Sequence, residues 1–96
     1  MPFLIYAPDY PDALERRMAA RQSHLDALAG LKAAGKVLYA AALLNDSGDM
    51  AGSVLVMDLP DRAAVDAWLA AEPYILQNVW DKTRLTVQPC KPAALP

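Results

Sequence analysis

Ninety-six residues allow one domain, because chains divide into several only when they are well over twice this long. Nine Lys and Arg against eleven Asp and Glu give a net charge of −2 with no basic run, which argues against nucleic acid as a partner. A single cysteine, Cys90, leaves no internal disulfide or cysteine-based metal site, and no apolar run approaches the ~20 residues needed to span a bilayer. The opening Met1-Pro2-Phe3-Leu4-Ile5-Tyr6 has no basic n-region and Pro8-Asp9 interrupts it early, so the expectation is a cytoplasmic protein without membrane contact.

Phe3 to Ala7 is a short apolar and aromatic run closed by Pro8-Asp9, the pattern of a buried strand. Pro11 and Asp12 open a helix that runs through strong helix formers from Ala13 to Ala34 and stops at Gly35. Along it Leu14, Met18, Arg21, Leu25, Leu28 and Leu31 recur at three- and four-residue steps and read as its core-facing stripe. Val37 to Leu44 is apolar throughout, Asn45 to Asp49 supplies turn residues, and Ser53 to Met57 resumes a strand, which makes a β-hairpin. Pro60 and Asp61 begin a second helix with Ala64, Val65, Trp68 and Leu69 as its stripe, and Pro73 stops it. Thr83 to Val87 alternates polar and apolar as a half-exposed last strand does.

The order β-α-β-β-α-β defines an α+β ferredoxin-like split βαβ fold, an antiparallel sheet with two helices on one face. Residues 1–89 form the domain and residues 90–96 a Pro-rich C-terminal tail. Because Val37 to Leu44 offers apolar residues to both sides, the sheet's other face needs a cover, and the cheapest cover is a second copy in a homodimer.

Arg17, Arg21 and His24 fall within or beside the leucine stripe, where a guanidinium or imidazole needs a carboxylate, a ligand or a route to water. The arginines either snorkel into ion pairs with Glu15 or Asp12, or rim a pocket for an anionic small molecule. If the helices begin near Asp12 and Asp61 and run in the same sense, His24 and Glu72 lie at similar height. Pro73 turns the backbone of Glu72 out of the helix, so a His24–Glu72 contact is expected, with the imidazole fixed for proton transfer. Asp9 lies too far along the helix axis to orient His24 and reads as a loop-fixing residue. The Ser53 hydroxyl serves either the local backbone or a ligand, and Tyr6, Tyr74 and Trp80 read as core or interface aromatics, with Tyr6 also a substrate-contact candidate. No glycine-rich phosphate loop, paired metal histidines or nucleophile elbow occurs, so neither cofactor nor metal is expected.

These residues resemble the YciI-like (YCII-related) family. The likeness runs from residue 3 to about 89 through Arg17, Arg21, His24-Leu25, Gly35, the segment Ala40 to Asp46, Gly52-Ser53 and Glu72-Pro73-Tyr74. It implies a dimeric α/β-barrel with a His–carboxylate active site, in which Glu72 stands at the position of the family's Asp and Ala41 and Ala42 replace a Gly and a Pro. Relatives include a dehydrochlorinase of aromatic-ring degradation. The function expected is metal-independent His24–Glu72 acid–base chemistry of lyase, isomerase or dehydrochlorinase type on a small anionic cyclic compound, with Arg17, Arg21, Ser53 and Tyr6 in contact with it. Two alternatives are a dimeric binding or accessory module that captures a small molecule without turnover, and an interaction protein that engages a partner through its tail.

Overall fold

A computed structural model describes residues 1–96. The chain forms strand β1 (Pro2–Pro8), helix α1 (Leu14–Ala33), strands β2 (Val37–Leu44) and β3 (Met50–Asp58), helix α2 (Arg62–Ala71), a single-turn helix α3 (Pro73–Leu76) and strand β4 (Thr86–Pro89). The sheet is antiparallel throughout in the order β2-β3-β1-β4. Phe3, Ile5 and Ala7 pair with Met57, Leu55 and Ser53, and the apolar members of this row pack with Ala20, Leu28 and Val65 as the core. No helix is long and apolar enough to cross a membrane.

Local chemistry sets the element boundaries. Asp12 takes a left-handed φ of 57°, which an Asp tolerates, so the first helix begins after it and not at Pro11-Asp12. Asn45 closes the hairpin by accepting from the amides of Ser47 and Asp49, with Gly48 at φ 83°. Asp61 caps α2 by accepting from the Ala64 amide at 2.9 Å. Pro73 ends α2 as expected, yet it also occupies the first turn of α3, where its missing N–H costs nothing. Asp81 accepts from the Thr83 amide and hydroxyl and from Arg84 Nε, so residues 82–84 are a turn and the last strand starts three residues later than expected. The Thr83 hydroxyl, with Arg84, holds the Asp81 carboxyl below its ordinary range.

Two expectations are corrected here. Strands β1 and β2 are both antiparallel to β3, so α1 returns against them while α2 returns against β3; the two helices run in opposite senses. The buried stripe of α1 is Arg17, Ala20, His24 and Leu28, roughly 90° round the helix from Leu14, Met18 and Leu25, which are exposed.

On the side away from the helices, Tyr6 stands across from Val54, and Leu4 across from Val56, which Tyr39 flanks in turn. Nothing in the chain covers this row: Tyr6 is 46% and Tyr39 58% exposed. Beyond β4 the tail is tied only at its start, where the Cys90 amide donates to the Pro2 carbonyl.

Candidate functional site

His24 lies near the middle of α1 on its buried stripe, facing the segment where α2 gives way to α3. Glu72 occupies the hinge between those helices in an extended conformation, the backbone its position before Pro73 favours. Its Oε1 accepts both from the Tyr74 amide, at 3.2 Å, and from Nδ1 of His24. With Nδ1–H donating to the carboxylate, Nε2 is the ring nitrogen without a protein partner and presents its lone pair as a base. Both residues are buried, Glu72 to 1% exposure.

Aromatic rings fix the imidazole from two further directions. Tyr74 stacks on it at 3.9 Å and 14°, and Trp80 meets it edge-on at 5.6 Å. Tyr74 also carries Arg17 against its ring, with Cζ 4.7 Å from the centroid. Burial pushes the Tyr74 phenol above its ordinary 10.0, against the opposing pull of Arg17 and Arg21, so the hydroxyl stays protonated at neutral pH.

Arg17 does not pair with Glu15 or Asp12. At 2% exposure it forms a two-pronged bond with Asp9, Nε to Oδ2 at 2.8 Å and Nη2 to Oδ1 at 3.3 Å, and Nη2 also reaches the Gly52 carbonyl and Ser53 Oγ. Its Nη1 meets only the sulfur of Met50, at 3.9 Å, and so keeps a proton to offer. Asp9 is thus the residue that neutralises and aims Arg17. A Cβ on Gly52 would stand 3.1 Å from the Ala7 carbonyl oxygen and 3.3 Å from Pro8 Cα, so a larger residue here would crowd the β1 backbone. Ser53 serves neither of its expected roles alone: it joins Arg17 Nη2 to Trp80 Nε1, at 2.6 and 3.1 Å. Ser53→Ala should leave Trp80 Nε1 buried without an acceptor, while Arg17 Nη2 keeps Asp9 and the Gly52 carbonyl, and should cost about 1–3 kcal/mol in a urea titration.

Arg17, Arg21, His24, Ser53 and Tyr74 share the wall of a cavity of ≈210 Å³ between α1 and β2, closed on its far side by Ala40, Ala41 and Ala42. Arg21 is exposed at its rim and forms no ion pair. Tyr6 is a correction: alternation along β1 puts it on the opposite face of the sheet from the row that packs on the helices, and it lines another cavity. That second depression is larger, ≈640 Å³, but Arg84 and Asp9 on its wall are already engaged, with Asp81 and Arg17. Chemistry, and not size, therefore selects the His24 cavity. No three His, Cys, Asp or Glu side chains converge as a metal site would need.

The sequence reading missed Tyr74 and Trp80 as members of the site, and Asp9 as the partner of Arg17. For Tyr74 a signal existed, its place directly after Glu72-Pro73; for Trp80 and Asp9 there was none short of the tertiary contacts.

The antiparallel sheet with helices packed on one face places the chain among ferredoxin-like α+β proteins. The chain belongs to the YCII-related domain family, whose model matches residues 1–88. It is 33% identical over 97 residues to Protein YciI of Escherichia coli O6:H1, covering 95% of this chain and 97% of that one. It is 25% identical over 95 residues to fusaric acid biosynthesis protein 2 of Gibberella moniliformis, covering 93% and 91%. Among solved structures, 5-chloro-2-hydroxyhydroquinone dehydrochlorinase of Burkholderia phenoliruptrix, in complex with 2,5-dihydroxybenzoquinone, superposes with a TM-score of 0.83 at 29% identity over 95% of this chain and 94% of that one.

Proposed function

We propose that the chain is an acid–base enzyme of lyase, isomerase or dehydrochlorinase type that acts on a small anionic cyclic compound. The observation that carries this reading is the cavity-lining His24, oriented by Glu72, beside an arginine with no partner, Arg21. His24 Nε2 takes and returns the proton, Glu72 fixes the tautomer, and Arg21 with Nη1 of Arg17 holds the anion. Ser53 and Tyr74 complete the wall. The dehydrochlorinase likeness supports the same substrate class.

The experiment is a screen of the purified chain against chlorinated hydroxyquinones, small lactones and muconate-like acids, followed by absorbance and by solvent-deuterium incorporation. Turnover with exchange at one ring carbon is the expected result. Binding without turnover would favour a second reading, a capture module that holds a small molecule in the same cavity. Glu72→Gln should lower turnover by about 10- to 100-fold, because an amide cannot hold the same charge on Nδ1–H. Failure of that variant to change the rate would remove Glu72 from the mechanism.

The uncovered row Leu4, Tyr6, Tyr39, Val54 and Val56 is read as a homodimer interface of the barrel type. Tyr6→Lys places a charge in the middle of that row and should convert a dimer to a monomer in sedimentation velocity. A wild-type chain that sediments as a monomer at every concentration would sink this reading.

A further inference from the structure

Two buried side-chain oxygens, Glu72 Oε2 and the Tyr74 hydroxyl, have no partner within the chain. Of these two residues only Tyr74 lines the His24 cavity. A phenylalanine at this position would fill almost the same volume, stack on His24 and carry the Arg17 guanidinium on its face. The hydroxyl contributes none of those contacts, and a buried donor without an acceptor destabilises the fold that holds it. A partner that arrives from outside the chain, water or ligand, satisfies a polar group of this kind.

We propose that the Tyr74 hydroxyl is the donor that recognises an oxygen on the ligand's ring, which narrows the substrate to six-membered rings bearing a carbonyl or phenolic oxygen in addition to their anionic group. The inference rests on the acid–base reading of the cavity given above. Arg17 spends most of its donors on Asp9, Gly52 and Ser53, so the ligand's charge falls to Arg21, and a second oxygen needs a second donor. Tyr74 is that donor, with Arg21 near enough for its charge to act on the phenol. The volume agrees: a cavity of about 150 Å³ holds benzene, and this one, at ≈210 Å³, leaves room for ring substituents. Arg21, exposed and without an ion pair, is the rim side chain free to move aside and admit the ring to the hydroxyl.

The test is titration of the full chain and of Tyr74→Phe with two probes. These are 2,5-dihydroxybenzoquinone, followed by its visible absorbance, and benzoate, a ring anion with no further oxygen, followed by calorimetry. Wild type should bind the quinone more tightly than benzoate, and Tyr74→Phe should weaken the quinone by about 10- to 100-fold while changing benzoate by less than about two-fold. The melting temperature of unliganded Tyr74→Phe should equal or exceed that of wild type, since only an unpartnered hydroxyl is lost. Unchanged quinone affinity, an equal loss for both probes, or a clear fall in melting temperature would overturn the role of Tyr74 and leave the cavity reading standing. A wild-type chain that binds neither probe would overturn the cavity reading itself, and this inference with it.

Discussion

Replacing His24 by alanine should lower kcat on any compound the chain turns over by about 10²- to 10⁴-fold, the usual contribution of a positioned general acid or base. The expectation is specific to Nε2. Nδ1 is committed to Glu72, and the stacked Tyr74 and edge-on Trp80 hold the ring in one orientation, so no other side chain can take over the proton at that point. Alanine also leaves an imidazole-sized gap against Tyr74, and added imidazole should restore part of the rate. That rescue separates a chemical role from a structural one. A variant that keeps its rate, or one that loses rate only because it has unfolded by circular dichroism, would count against His24 as the base. His24→Gln, which fills more of the gap, provides the folded control.

Arg17→Met is expected to produce the largest loss of stability of any single change in the site, about 3–5 kcal/mol in a urea titration. The side chain is 2% exposed and its removal strands the Asp9 carboxylate in the interior, together with the acceptors on Gly52 and Ser53. A domain of this kind holds only about 5–15 kcal/mol in total, so the variant would stand near the edge of folding. The compensating test is the double change Arg17→Met with Asp9→Leu, which removes both charges. It should recover part of the loss, because the cost lies in the uncompensated carboxylate more than in the missing attraction. If the double variant is as unstable as the sum of the two single ones, Arg17 and Asp9 are not coupled as their geometry indicates.

The sequence by itself determined the order of the four strands and the two longer helices, though not the single-turn helix α3. Periodicity and turn residues are local signals, and each was legible in place: the apolar run before Pro8, the Asn45 to Asp49 turn, the Asp61 cap. It also brought His24 and Glu72 together, although the helix sense assumed in that count was reversed. The contact survives because His24 lies near the middle of a 20-residue helix, where a count from either end arrives at about the same height.

Only the tertiary structure decided which face of α1 is buried. Leu14, Met18 and Leu25 look like a core stripe, but the sheet meets the helix along Arg17, Ala20, His24 and Leu28, and a polar residue can face inward once a partner is supplied. Those partners come from far along the chain. Asp9, just past the end of β1, and Ser53, in β3, reach Arg17 from separate parts of the chain, Glu72 reaches His24 from the hinge between two helices, and Tyr6 is carried to the opposite face by the two-residue period of its strand. Spacing in sequence fixes which residues share an element; which elements lie against one another, and so which charges neutralise each other, is set by packing the whole sheet and helix layer at once.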